Sequence, residues 1–506
     1  MTGHTAPMHV RRLALALGYL LVVRLIFAAR VELMPEETYY WNYSRHLDIG
    51  YLDHPPLIAW LIRAGTTLFG NTAFGVRVGA LCCGVATAFF VYRLARNIFG
   101  DTVALYALLL AQALPFFFFS GVLMTPDAPL TAAWAATAYF LERALVADHS
   151  RAWIGVGVAM GLGLLSKYTI GLLGVAAAGF MVMDRPSRRW FGRWQPYAAG
   201  LTAIALFAPV ILWNSTHEWA SFVFQTSRRL AEAPRFSLHR LIGAAIVLIT
   251  PAGVLGVTAA LRGRAGYAND GTTAPEARRS IQLLRFALAV PLAVFVLFSL
   301  RHEVKLDWTG APWAAALPLM ALTMGEPRAR QRWTWLRVVW PPTIAVLLLL
   351  YGVGLCYLVA GIPGVGISER TELIPMGWRD LGRQVDALAA NLRRPLGDQV
   401  LVVGMDRYAI ASELAFYAPD QSQAVQYTTT GHLLGGMGLM YERWFPIEEQ
   451  AGKTLLLVAW DRNSLADSQL STHFRELDAR REGMVFHDGA PVRRYYYRVA
   501  HGYIPN

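Results

Sequence analysis

Four carboxylates and five aromatic rings, with the imidazole of His54, fall within residues 35–56: Glu36, Glu37, Asp48, Asp53, Tyr39, Tyr40, Trp41, Tyr43 and Tyr51. The stretch lies between two apolar runs, where an ionisable side chain is costly unless it is paired or lines a wet cavity, so such groups are functional candidates. Further ionisable residues stand at the ends of later apolar runs: Asp127 after Thr125-Pro126, Lys167 between Ser166 and Tyr168, and Arg301, His302, Lys305 and Asp307. These residue types suit a division of labour. A carboxylate in a partly apolar setting holds its proton more tightly and can act as general base toward a hydroxyl, while nearby cations stabilise negative charge on a departing phosphate.

The elements that must position these groups are membrane spans. Of 506 residues, 55% are hydrophobic and only 16% charged. Apolar runs fall near 13–30, 76–95, 102–120, 128–145, 153–166, 168–183, 197–213, 241–261, 286–300, 312–325 and 338–361, which predicts a polytopic α-helical membrane protein of about eleven transmembrane helices. The formal charge of +12 does not point to nucleic acid, because the arginines sit in short clusters between apolar runs. With the N-terminus inside, each inner loop is basic: Arg11 and Arg12, Arg93 and Arg96, Arg143 and Arg151, Arg185 to Arg193, Arg262 to Arg285, and Arg328 to Arg337. Anionic membrane lipid is then the nearest partner of that charge. The same assignment puts 31–75, Asp127, Lys167, 214–240, 301–307 and the tail on the outer face, where the acids and bases can share one outward-facing cavity.

The tail changes character, and the sequence divides into a membrane domain, 1–361, with its outer-face loop 31–75, and a small soluble α/β domain, 362–506. Within the tail, 377–393 and 410–416 have helical periodicity, 399–404 and 453–460 are strand-like, 474–481 reads as a charged helix and 492–499 as an edge strand. The Ala/Gly/Thr-rich segment 266–277 reads as a flexible inner loop. Cys82, Cys83 and Cys356 lie inside apolar runs and offer neither a disulfide framework nor a thiolate metal site. The first run follows Arg11-Arg12 and is contiguous with the carboxylate stretch, so it reads as a retained helix, not a cleaved signal. A phosphate is already a weak base and needs no proton donated to it, so the paired acids and cations fit glycosyl transfer from a lipid-phosphate sugar.

The stretch 35–41 followed by 50–57, with 125–129 and 166–168 downstream, resembles the bacterial members of the dolichyl-phosphate-mannose protein mannosyltransferase family. That family belongs to the GT-C class, which also includes the lipid A aminoarabinose transferases. The resemblance covers nearly all of the membrane part and the tail only loosely. It implies a polyprenyl-phosphate-sugar donor, an active site facing the periplasm from the bacterial inner membrane, inversion at the anomeric carbon, and an acceptor on an envelope lipid, glycan or protein. The family's acidic pair in the first outer loop is usually Asp-Glu with the first member as base; here it is Glu36-Glu37, which leaves open which of the two serves. Its second-loop aspartate corresponds to Asp127. A lysine of the aminoarabinose branch that assists the phosphate stands at the position of His54, and Lys167, His302 and Lys305 are further phosphate candidates. Tyr39, Tyr40, Trp41, Tyr51 and Tyr168 are the candidates for contact with sugar or prenyl chain.

Each candidate also has a structural reading that the residues alone leave open. Glu36 and Glu37 can cap a helix, and Asp127 can cap the fourth span. The aromatic rings can form an interfacial belt, and His54-Pro55-Pro56 can be a plain turn. Lys167 can snorkel from a helix end, and 302–308 can be a solvated charged turn. No ligand spacing identifies a cofactor; a divalent cation among the outer acids is a secondary option. The rival function is a transporter or flippase of lipid-linked sugars, for which internal repeats and midplane polar residues would be expected.

Overall fold

Every apolar run picked out in the sequence is helical, as it must be where no water can satisfy backbone N–H and C=O groups. The computed structural model describes residues 8–226, 233–262, 274–325, 334–360, 375–396 and 400–505. Arg264, Arg328, Arg330, Arg332 and 266–273, read above as inner-loop residues, lie outside the described residues. Six described helices are long and apolar enough to cross a membrane: Val10–Arg30, Ala73–Phe99, Gln195–Thr216, Leu238–Arg262, Pro275–Ser299 and Val338–Ala360. Others are shorter, and Pro115 divides the 102–120 run into Asp101–Ala113 and Pro115–Ser120. On the long helices Leu201 is 68% exposed, Leu349 64% and Val338 73%. Large apolar side chains displayed along whole helices are stable only against lipid, and the chain is an integral membrane protein.

The chain forms two compact units that are not contiguous in sequence: one holds 1–26, 49–58 and 77–353, the other 27–48, 59–76 and 354–506. In the first, the helix Asp127–Leu141 continues through a π turn, Glu142–Val146. Arg279, on the helix Ala274–Ser299, donates to the Leu145 carbonyl at 2.7 Å, to the Val146 carbonyl at 3.2 Å and to Asp184 Oδ2 at 2.8 Å. One guanidinium therefore fastens three helix ends. The short 3₁₀ turns Leu306–Thr309 and Ala311–Ala316 lead into the helix Leu317–Gly325. A Cβ on Gly310, between the two turns, would lie 1.9 Å from the Phe116 ring, so only glycine lets this backbone approach so closely.

The second unit is built on a sheet of order β2-β1-β3-β6-β4, with β5 pairing β6. Its strands are β1 (Val400–Gly404), β2 (Tyr427–Thr429), β3 (Thr454–Ala459), β4 (Phe474–Leu477), β5 (Arg481–His487) and β6 (Ala490–Tyr503). β1 runs parallel to β2 and β3, and every residue of β1 and β3 is buried, as expected of strands covered on both faces. The helices Trp378–Leu396 and Ala409–Tyr417 have the expected type. Two expectations are corrected. Residues 474–481 are not a charged helix: Phe474 to Leu477 pair antiparallel with β6, a tertiary contact that overrides local propensity. The segment 492–499 is not an edge strand, because β6 is flanked by β3, β4 and β5.

The start of the first long loop belongs to this unit through specific bonds. The Glu32 carboxylate accepts the backbone N–H groups of Trp378 at 2.8 Å and Arg379 at 3.3 Å, and the Leu33 N–H donates to the Tyr417 hydroxyl at 2.7 Å. The carboxylate sits at the start of a helix, where exposed N–H groups favour negative charge. For the first unit, Arg279→Met should lower the stability of the detergent-solubilised chain by about 3–5 kcal/mol, because it removes the cation from a buried carboxylate. A variant melting with the parent would show that this guanidinium carries no stability.

Candidate active site

In the first unit two carboxylates, Asp127 and Asp307, assemble around Lys167. Asp127 is the first residue of its helix, but its carboxylate does not cap that helix; it accepts from Lys167 Nζ at 3.0 and 3.1 Å. Lys167 sits in extended backbone before the 3₁₀ turn Tyr168–Ile170 and also donates to Asp307 Oδ2 at 2.9 Å. The lysine is thus held inside by two carboxylates and does not snorkel to water. Asp127 is buried, whereas the Asp307 side chain is 42% exposed, so the cluster opens on the Asp307 side.

Electrostatics separates the two acids. Burial pushes the Asp127 carboxyl up to about 7; Lys167 pulls against that push and the negative charge of Asp307 adds to it. At Asp307 burial also raises, but the Lys167 charge and hydrogen bond outweigh it and hold the carboxyl below its usual range. At Lys167 burial alone would favour the neutral amine; the two carboxylates overcome that and keep the ammonium charged. Asp127 is therefore a carboxyl that can take and release a proton near neutrality, beside a permanent cation.

The other candidates of this unit occupy separate positions. His54 is partly buried, and the Asp53 carbonyl before it accepts the Gln225 amide. Tyr51 is buried, and a Cβ on the preceding Gly50 would meet Trp213 Cγ at 2.5 Å. Tyr168 shares a 2.7 Å hydrogen bond with Ser221, whose N–H donates to Asn214 Oδ1 at 3.1 Å. Residues 301–304 are not a free solvated turn. The Arg235 N–H donates to the Arg301 carbonyl at 2.7 Å, Ser237 Oγ donates to the His302 carbonyl at 2.7 Å, and Glu303 takes Arg235 and Arg240. The His302 ring lies 4.7 Å from Phe298, and Lys305 is exposed.

In the second unit the helix Pro35–Arg45 separates its two glutamates. Glu37 is fully buried and its Oε2 accepts the Met34 N–H at 3.1 Å, the return bond of a helix cap. Glu36 is exposed and takes the hydroxyl of Tyr408 on Oε1 at 3.3 Å. Tyr39, Tyr40 and Trp41 are buried and form no surface belt. Tyr39 packs on Tyr43, Tyr408 and Tyr441, while Trp41 meets Phe416 edge-on at 5.1 Å and donates to Asn71 Oδ1 at 3.1 Å. Tyr51, in the first unit, is buried as well. Among the described residues no group of three or more His, Cys, Asp and Glu side chains forms a metal-binding cluster.

Two partners had no assigned role in the sequence reading. Asp307 was visible only as an acid at a span end, and its signal is its place two residues after Lys305. Tyr408 gave none, since 372 residues separate it from Glu36.

Residues 53–213 match the family described as dolichyl-phosphate-mannose-protein mannosyltransferase. The lipid A galacturonosyltransferase RgtD of Rhizobium johnstonii is 30% identical over 216 residues, 41% of this chain and 44% of that protein. The undecaprenyl phosphate-alpha-4-amino-4-deoxy-L-arabinose arabinosyl transferase 2 of Proteus mirabilis is 28% identical over 171 residues, 30% of this chain and 31% of that protein. The aligned part is thus less than half the length of either curated relative. The crystal structure of ArnT from Cupriavidus metallidurans bound to undecaprenyl phosphate superposes with a TM-score of 0.65 at 15% identity, covering 96% of this chain and 97% of that one. Residues 53–213 are thus similar to that family, and the chain shares the fold of the ArnT structure.

Lys167→Met should cost the fold about 3–5 kcal/mol at alkaline pH, where a buried carboxylate is left without its cation. A carboxyl whose folded value is raised loses stability as pH climbs from its unfolded to its folded value. Removing Lys167, which pulls Asp127 down, lifts that folded value above the parent's, so the variant goes on losing stability at pH values where the parent no longer does. The deficit should therefore grow in thermal melts as pH rises above about 7 and be smaller below it. A deficit independent of pH would contradict the ionic account of this cluster.

Proposed function

We propose that the chain transfers a sugar from a polyprenyl-phosphate carrier to a hydroxyl of an envelope lipid, glycan or protein at the outer face of the inner membrane. Glu36 takes the proton of the acceptor hydroxyl. The freed oxygen attacks the anomeric carbon from the side opposite the phosphate, the bond from that carbon to the phosphate oxygen breaks, and the lipid phosphate leaves with inversion. His54, Lys305 and His302 receive the phosphate charge. Asp127 orients the acceptor, and Lys167 holds Asp127, because two carboxylates already occupy its ammonium.

The observation that carries the choice of base is the contrast between neighbouring glutamates: Glu37 is spent on its helix end, while Glu36 presents an exposed carboxylate. The relatives' names are those of galacturonosyl and aminoarabinose transferases, which favours transfer over transport and points to lipid A or another lipopolysaccharide component as acceptor. The arginine distribution supports a cytoplasmic N-terminus and a periplasmic domain over 362–506.

Mass spectrometry of envelope lipids from a strain lacking the gene should show loss of one uronic acid or aminopentose. Wild type and Glu37→Gln, whose amide oxygen can still accept the Met34 N–H, should restore it, whereas Glu36→Gln should fall about 100-fold or more short, as for loss of a general base. Restoration by Glu36→Gln would remove this base. Sidedness has its own check, in a chain freed of Cys82, Cys83 and Cys356. Glu36→Cys and Lys305→Cys should react with an impermeant maleimide in cells whose outer membrane alone is opened, and Arg188→Cys only after the inner membrane is opened. Labelling of Glu36→Cys and Lys305→Cys from opposite faces would contradict the topology.

A further inference from the structure

The loop that follows β1 reaches the helix carrying Glu36. Tyr408 immediately precedes the helix Ala409–Tyr417; its hydroxyl donates to Glu36 Oε1 at 3.3 Å and its ring centroid lies 4.9 Å from that of Tyr39. Tyr39 is itself fixed, 5.0 Å from Tyr43 and 6.2 Å from Tyr441, with the Met440 N–H directed at its hydroxyl at 3.4 Å. The loop is fixed as well. Asp406 Oδ2 accepts the Ile410 N–H at 3.0 Å, the Asp406 carbonyl accepts Thr429, and the Arg407 guanidinium meets Met437 Sδ at 3.2 Å. A donor so supported is one arrangement, not one of many rotamers.

We propose that Tyr408 is a positioning residue for Glu36: its hydroxyl holds Oε1 and leaves Oε2 as the oxygen that meets the acceptor, so the C-terminal domain contributes a group to the reaction. The inference rests on the reading of Glu36 as base. Burial, with the negative charges of Glu36 and Asp406 adding, holds the Tyr408 phenol well above its ordinary range, so it donates a hydrogen bond and keeps its proton. Glu37, next to Glu36, is engaged with the Met34 N–H and does not compete for this donor. The sheet-based unit thus presents one hydroxyl to its own helix Pro35–Arg45.

Tyr408→Phe keeps the ring on Tyr39 and removes only the donor. The test uses the full chain in nanodiscs, lipid A as acceptor, and undecaprenyl-phosphate-linked aminoarabinose or galacturonic acid as donor, with release of free undecaprenyl phosphate as readout. The expected result is roughly a ten-fold fall in kcat, the size of one charge-assisted hydrogen bond, with KM for the donor within about two-fold and an unchanged melting midpoint. In a Glu36→Gln background the same substitution should cost nothing further, because the two residues act as a unit. Parental kcat in Tyr408→Phe beside an inactive Glu36→Gln would overturn this inference and leave the base standing, as would additive losses or a rise in KM alone. An active Glu36→Gln, or a parent that turns over neither donor, would overturn the reading beneath it.

Discussion

Charge close to hydrocarbon must be partnered or wet, and this one constraint orders the molecule. It places a guanidinium among two carbonyls and a carboxylate where Arg279 joins three helix ends. It also places an ammonium between the carboxylates of Asp127 and Asp307. The two clusters differ in purpose. At Arg279 each of the three guanidinium nitrogens meets an acceptor on protein. At Lys167 the number of negative groups exceeds the number of positive ones, one acid is pushed toward neutrality and the other stands partly in solvent. A mismatch of that kind serves chemistry better than stability.

The same constraint explains what could be read before any coordinates. Apolar runs have to become helices, so their positions were legible to within a few residues, and so were the ionisable residues at their ends. Lys167 and Asp127 stood out because each interrupts an apolar run. Their bond did not, since 40 residues separate them and only the folded chain closes the distance. Polar neighbours of the first loop were read in bulk as candidates, yet burial sorts them: Tyr39, Trp41 and Tyr51 pack, Glu37 caps, and Glu36 is exposed. The tail was less legible. Residues of β4 carry charge without a clean period of two, and their pairing with β6 decided their form, while β6 was legible as a strand but not as an interior one.

Glu36 belongs to the compact unit built on the sheet, and the family match begins only at residue 53. Asp127 and Lys167 fall within the matched segment, and Asp307 beyond it. Candidate residues therefore stand in each unit: Asp127, Lys167 and Asp307 in one, Glu36 in the other. In the sheet-based unit, Glu32 and Leu33 bond to the helices Trp378–Leu396 and Ala409–Tyr417 and set the start of the helix that carries Glu36.

The central claim is that these groups break a bond between sugar and lipid phosphate, and do not merely carry the intact lipid. The most direct measurement follows a doubly labelled polyprenyl-phosphate sugar in proteoliposomes supplied with an outer acceptor, tracking both labels together. The account predicts that they part: one sugar joined to acceptor for each free polyprenyl phosphate formed. Labels that stay together while the donor changes leaflet would contradict it.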